Sequence, residues 1–377
     1  MDKPWSMKAI PPYRRSELIR GVELGKWRYH HGVGDMWPIT WATDDHMYTG
    51  AGDNRGSAMN FWRIQGGPDL EQRRGRTPVV FETAHDDWVL DVIDNEPLDP
   101  AVYCTDPRVD SAKGLKPAGL LDIDGTLMMA VQTQNYGTEP TFNRQTNIHG
   151  WIITTDDYGR TWNREATPQT EFFSGRVASC HFLQYGKGAE NVRDGYVYAH
   201  FPGASDDGNS YWENGDYVLF GRVPADQVLV RSAWEFWTGL DSSGAATWSA
   251  DDADAVPVFE YFHMTGENHV SYNAGLGRYI MGNYSFVNEE LYPQPYHQGQ
   301  WPSTTQQSQL TLYEAPEPWG PWSLFYRDDD WGMYGGYQPS FPVKWMRNGG
   351  KTMFMVSSGT GDDYNFTVQR LDLDIAP

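Results

Sequence analysis

The chain lacks most of what marks the common functional classes. It holds only two cysteines in 377 residues, Cys104 and Cys180, far apart and without metal-ligand spacing. They read as reduced thiols, and a single disulfide between them would not define the fold. Basic runs are missing and the formal net charge is -21. A surface that negative repels phosphate backbones and anionic lipid, so neither nucleic acid nor membrane is an expected partner. No apolar run approaches the length of a spanning helix. The N-terminus, Met1-Asp2-Lys3-Pro4-Trp5, has no apolar signal core. The expectation is a cytoplasmic protein, or a secreted one whose leader has been removed. There is no HExxH, no P-loop, no Gly-x-Gly-x-x-Gly after a strand and no nucleophile elbow. Long helical patterns are scarce.

Glycine (39), proline (24) and aromatics (17 Trp, 22 Tyr, 16 Phe) are abundant instead. Short apolar strands separated by frequent turns point to an all-β fold. A loose hairpin motif recurs at Ile39–Gly52, Gly119–Gln132 with Asp124-Gly125 as the turn, Ala178–His200, His269–Tyr284 and Pro339–Ser357 with Asn348-Gly349-Gly350 as the turn. A second strand pair follows each, at Asn60–Gly66, Gly150–Trp162, Tyr217–Trp237, Leu310–Phe325 and Asn365–Leu373. Five units of four strands, at roughly 60 to 80 residues each, predict a five-bladed β-propeller, which hides sheet edges by radial repetition. Leu240–Val256 and Asn288–Ser308 look too polar for further strands, and the acidic run Ala250–Ala255 reads as a solvated loop. No linker-like stretch divides the chain. It is read as one domain over residues 1–377, with 1–33 packing on a blade or completing one.

Thr155-Asp156-Asp157-Tyr158-Gly159-Arg160-Thr161-Trp162 fits the Asp-box pattern of sialidase-like propellers. There the Asp accepts turn N–H groups and the Trp packs between blades, so Asp157 is read as structural.

The segment from Gly34 to Asn54 carries the chemistry. It reads as two short strands joined by a polar turn at Thr43 to Asp45. Folding it there brings Asp35 opposite Asp53 or Asn54. Like charges across a ladder are destabilising, so such a pair suits acid/base work or cation binding; a solvated pair at a frayed strand end is the plain alternative.

Several segments, read in order, resemble a bacterial family catalogued as a domain of unknown function, some of whose members are endo-D-arabinanases. They are Asp35–Asn54, Gly114–Leu121, the Asp-box hairpin, Phe182–Lys187, Arg193–Tyr198, Gly221–Pro224, Ser271–Leu276 and Tyr313–Trp322, nearly the whole chain. The resemblance implies a five-bladed glycoside hydrolase in which two Asp residues near the N-terminus act in catalysis. Asp35 and Asp53 match those positions. The common family form Gly-Asp-Gly is Gly52-Asp53-Asn54 here, which keeps the carboxylate and alters the local turn. Propeller-fold polysaccharide lyases acting on uronate polymers look similar in outline.

Glycoside hydrolysis needs one protonated and one ionised carboxyl. Repulsion between Asp35 and Asp53 would raise one pKa and leave the other low. Carboxyls on directly facing strand positions are close enough to favour retention over inversion. Glu267 is a third candidate acid, or an exposed loop residue. Trp37 and Trp41 fall on one strand face, suited to stacking on a sugar or to packing. The candidate substrate contacts are Trp37, Lys116, His149, Arg176, Glu267, His269, Tyr272 and Asn273. A lyase would draw its base from His30, His31, His149, His181 or His269 and its cation from Lys116, Arg144 or Arg176. His30-His31 before Asp35 is a poor metal site, because adjacent strand residues face opposite ways. No metal ligand set or cofactor is expected, apart from a calcium ion in the propeller tunnel. The expected partner is an oligosaccharide or polysaccharide, cleaved by a glycosidase; a polysaccharide lyase and a non-catalytic glycan-binding propeller are the other readings.

Overall fold

A computed structural model describes residues 10–31, 34–54, 57–68, 88–92, 115–135, 146–169, 172–205, 208–212, 214–286, 308–331, 336–359 and 365–377. Within them, the side chains of 26–31, 53–54, 57–58, 65–66, 88–92 and 134–135 lie outside the description. Cys104 and Arg144 lie outside it too, and Cys180 is a buried free thiol.

The protein is all-β, as its turn-rich, aromatic-rich sequence predicts, and its ladders are antiparallel. One sheet runs Ile39–Trp41, Met47–Asn54, Ser57–Gly66, Trp88–Val92 in order. Another runs His269–Asn273, Arg278–Phe286, Ser308–Ala315, Ser323–Trp331. A further one sets Tyr337–Ser340, Thr352–Ser358 and Phe366–Ile375 beside Ile19–His31, so the first strand of the chain pairs with the last. The largest sheet has eleven strands. Its halves, Leu115–Ile123 to Thr146–Thr155 and Tyr196–Gly203 to Ala246–Ser249, are joined, among the described residues, through Ser210–Tyr211, which pairs with Asn147 and Thr146 on one side and Gly203 on the other.

Apolar seams hold the sheets face to face. Tyr48, Met59 and Phe61 pack on Leu120, Leu127 and Trp151. Val218, Phe220 and Tyr261 pack on Val270, Tyr279 and Tyr313. Ile280, Leu310 and Leu312 meet Phe341, Met353 and Leu371. Trp37, Ile39 and Met47 meet Phe354, Val356 and Phe366, which returns the series to the sheet at residues 39–92. Burial on both faces of most of the described strands explains why they read as near-continuous apolar runs. The Asp-box hairpin is one of these joints. Trp162 meets Phe61 of the neighbouring sheet edge-on at 5.0 Å, and Asp157 takes Thr161 N and Oγ1 at 2.9 and 2.7 Å.

The predicted turns are present. Asp124-Gly125, with φ of +52° and +91°, closes the Leu115–Asn135 hairpin as a two-residue loop in the left-handed region. The chain turns at Thr43 to Asp45, where Ala42 N–H donates to His46 O at 2.9 Å. Two expectations need correction. Ala246–Ser249, inside the stretch read as too polar for a strand, pairs with Glu235–Leu240 as a projecting hairpin; cross-strand pairing there needs only half-buried side chains. The acidic run that follows is a largely exposed loop, as read, in which Asp252 takes the Arg231 guanidinium at 2.7 Å. Finally, Asp35 lies opposite Gly52, exchanging N–H···O bonds of 2.9 and 2.8 Å, and not opposite Asp53 or Asn54.

Candidate active site

The first strands of the sheets converge, and their starting residues build a buried polar centre. Asp35 is positioned by its bridge to Gly52 and by a backbone that turns sharply after it. Met36 and Trp37 have φ of +78° and +41°, a region that non-glycine residues seldom enter. The buried Asp35 carboxylate faces the buried Lys116, Oδ1 to Nζ 3.5 Å, and accepts from Tyr337 Oη at 3.4 Å. Gly52 makes this approach possible. A Cβ there would stand 2.5 Å from Asp35 Oδ1 and 2.7 Å from Lys116 Cδ.

Lys116 pairs across its hairpin with Gln132. Gln132 Nε2 donates to Glu267 Oε1 at 2.5 Å. Gln338, the residue after Tyr337, donates its Nε2 to the other oxygen, Oε2. Ser179 Oγ reaches Glu267 Oε1 at 3.3 Å, and His181 Nε2 lies 3.6 Å from it and 2.7 Å from Ser179 Oγ. The contacts of the Asp35 and Glu267 carboxyls therefore come from neighbouring residues: the cross-strand pair Lys116–Gln132 and the consecutive pair Tyr337–Gln338. Glu267 itself follows the strand Phe259–Thr265, with its N–H held by Trp212 O at 3.0 Å.

His269 opens the next strand, its ring edge-on to His181 at 5.2 Å. Burial, and then the charge that His181 would carry, pushes His269 well below the usual histidine range. Burial likewise pulls His200 down to about 3. Both are neutral rings near neutral pH. Around the two acids, Gln132 Oε1, Gln338 Oε1, His181 Nδ1, His269 Nε2 and Ser340 Oγ are buried and find no hydrogen-bond partner among the described residues. Native interiors keep few such atoms, and a group of them beside two carboxyls is what a polar ligand site looks like. No group of three or more His, Cys, Asp or Glu suited to a metal occurs among the described residues.

The centre unites some of the sequence candidates and disperses others. Asp35, Lys116, Glu267 and His269 meet in it. Glu267 is fully buried, not the exposed loop acid that its alternative reading allowed. Asp53 follows Gly52 in the strand, and its carboxylate lies outside the described side chains. The facing register that suggested retention belongs to Gly52. Trp37 is not a stacking face: it is buried, edge-on to Phe366 at 5.2 Å, with Nε1–H donated to Asn365 O. Trp41 sits at the hairpin turn and donates to Asp45. Arg176 spends its guanidinium on the carbonyls of Asp252, Ala253 and Ala255, tying down a loop. Asn273 ends its strand and pins the adjacent turns through Gly350 O and Leu276 N, and Tyr272 packs on Tyr279. Trp37, Trp41, Arg176 and Asn273 each spend a polar group on a neighbour within the fold. His149 is buried beside Thr133, which bonds its backbone. Sequence reasoning missed Gln132, Ser179, Tyr337 and Gln338 and held His181 only among possible bases. No residue type or spacing singles out these four; they matter through the strands that bring them to Glu267 and Asp35.

No family model and no curated protein sequence matches the chain. Several solved structures do. A Bacteroides ovatus protein provisionally assigned as a hydrolase is 12% identical, with 91% of this chain and 86% of that one covered at a TM-score of 0.49. A GH43_1 enzyme from Xanthomonas citri is 10% identical over 92% and 91% of the two chains, TM-score 0.46. A family 117 glycoside hydrolase from Zobellia galactanivorans is 12% identical over 67% and 68%, TM-score 0.35. With every TM-score below 0.5, no residue role passes from them to this chain.

Proposed function

We propose that the protein is a glycoside hydrolase on a five-bladed β-propeller, the eleven-stranded sheet counting as two blades, and that it cleaves a furanoside or related neutral glycan. The observation that carries this reading is the pair of buried carboxyls, Asp35 and Glu267, whose contacts come from cross-strand neighbours, Lys116 and Gln132, and from consecutive residues, Tyr337 and Gln338, with unsatisfied polar atoms left on Gln132 and Gln338. Hydrolysis of a glycosidic bond asks for two carboxyls with different roles. The Lys116 ammonium favours an ionised Asp35, suited to act as base or nucleophile. The second carboxyl is Glu267, whose carboxamide neighbours can donate to its charged form or accept from its protonated form. Asp53 is the competing partner from the sequence resemblance. A net charge of -21 disfavours polyuronate substrates.

A lyase draws support from one observation, the neutral His269 beside His181. Against it, the cation at the centre, Lys116, is already paired with Asp35.

The test is a panel of arabinans and uronate polymers, followed by reducing-end release and by ultraviolet absorbance of unsaturated uronate. Asp35→Asn is expected to lower kcat by roughly 10²–10⁴-fold with sugar binding kept. Whichever of Glu267→Gln and Asp53→Asn loses turnover of ordinary glycosides, while keeping that of an activated aryl glycoside, is the acid. Absorbance that survives Asp35→Asn overturns the hydrolase.

A further inference from the structure

Among the described residues five large apolar side chains are exposed, and Phe262 is the aromatic one, 59% accessible. It is held out by an unusual local structure. His263, next to it, has φ of +56° on a non-glycine backbone in the middle of a strand. The buried Asp216 fixes this conformation: its Oδ1 accepts the His263 N–H at 3.0 Å and lies 3.3 Å from His263 Nδ1. Oδ2 of the same carboxylate accepts from Ser205 N and Oγ at 2.9 and 2.8 Å. The ladder between Gly215–Pro224 and Phe259–Thr265 is irregular at this point. Regular alternation would expose residue 264 after 260 and 262; Met264 is buried instead, and so is His263, which stays against Asp216 while its ring lies 3.9 Å from that of the outward Phe262. Strain of this kind persists where the surroundings over-determine it and is concentrated at functional sites.

The strand that carries Phe262 runs on through Thr265 and Gly266 into Glu267. The segment between Ser205 and Asp216 carries Trp212, whose C=O holds the Glu267 N–H. Five residues of extended chain separate Phe262 from Glu267, at most about 17 Å, a gap an oligosaccharide spans.

We infer that Phe262, backed by the buried ring of His263, forms a distal sugar subsite, where the apolar face of one ring of a neutral glycan stacks on Phe262 while another ring of the same chain lies between Asp35 and Glu267. This deepens the hydrolase reading and rests on it for the direction of the chain.

The experiment is affinity electrophoresis of the full protein through gels containing debranched arabinan, branched arabinan, xylan or polygalacturonate, with wild type, Phe262→Ala and Phe262→Trp. It is followed by kinetics on disaccharide and hexasaccharide fragments of whichever polymer retards the wild type. Phe262→Ala is expected to weaken retention and to raise KM for the hexasaccharide roughly three- to tenfold, the worth of one aromatic stack. Its kcat and its disaccharide kinetics stay at wild-type values, and Phe262→Trp keeps retention. An equal loss on both fragments, unchanged retention in Phe262→Ala, or no retention of wild type by any polymer overturns the subsite. Weakened retention in Phe262→Ala, with no turnover by wild type, keeps the subsite and discards the hydrolase.

Discussion

Asp157 and Glu267 are both carboxylates saturated with donors, yet they serve opposite ends. The partners of Asp157 are Thr155 and Thr161, within four residues of it, and they hold it below the usual carboxylate range despite some burial. Those of Glu267 are Gln132, Ser179 and Gln338, between 71 and 135 residues away. A local network shapes a turn and closes when the turn forms. A long-range network exists only after separate sheets have packed, and it leaves polar atoms over, such as Gln132 Oε1 and Gln338 Oε1. Surplus polarity in a buried place is the difference between a joint and a site.

Perturbing one side or the other separates the two kinds. The largest effect on stability is expected from Lys116→Met, which takes the neighbouring cation away from the buried Asp35 carboxyl and costs about 3–5 kcal/mol; urea denaturation measures it. A cost under about 1 kcal/mol would place the pair with ordinary surface bridges. Gly52→Ala keeps every carboxyl and adds one methyl where Asp35 Oδ1 and Lys116 Cδ already stand. Displacing a reacting group by an ångström costs on the order of 10²-fold in turnover, so this variant should fold and lose most of its kcat.

The next effect is on pH dependence. His200 and His269 have pKa values lowered by burial, so the unfolded chain binds protons that the folded one refuses. Stability is therefore intact above the unfolded pKa near 6.5 and falls as pH drops below it, by about 1.4 kcal/mol per histidine per pH unit. For His200 the fall continues to about pH 3. Denaturation midpoints between pH 7 and 5 read this slope, and His200→Gln should flatten it by the share of one histidine. The smallest effect is Asp157→Ala, which removes turn hydrogen bonds at an exposed site and costs about 1 kcal/mol, with activity unchanged. Lost activity in that variant would erase the distinction between joint and site.

Much of the fold was legible because its signals are local. The Asp124-Gly125 turn, the Asp box and the recurring hairpins each announce themselves within a dozen residues. Of the site, Asp35, Lys116, Glu267 and His269 were identifiable as chemistry-bearing residues near strand starts. Trp37, Arg176 and Asn273 looked equally suitable, and only packing shows that their polar groups are consumed elsewhere.

Register marks the limit most clearly. From the Asp124-Gly125 turn, an unbroken ladder pairs Ile123 with Thr126 and would bring Thr133 opposite Lys116. A shift between Pro117 and Gly119 instead sets Gln132 there, with its amide on Glu267. In the same way Asp35 met Gly52 where the hairpin pattern suggested Asp53 or Asn54. Residue types, turns and the all-β character were written in the amino-acid order, because each is settled by neighbours in the chain. Which carboxyl faces which partner was decided by the tertiary structure. A slip of one residue in a ladder moves a side chain to the other face, and only the packing of one sheet against the next selects the register.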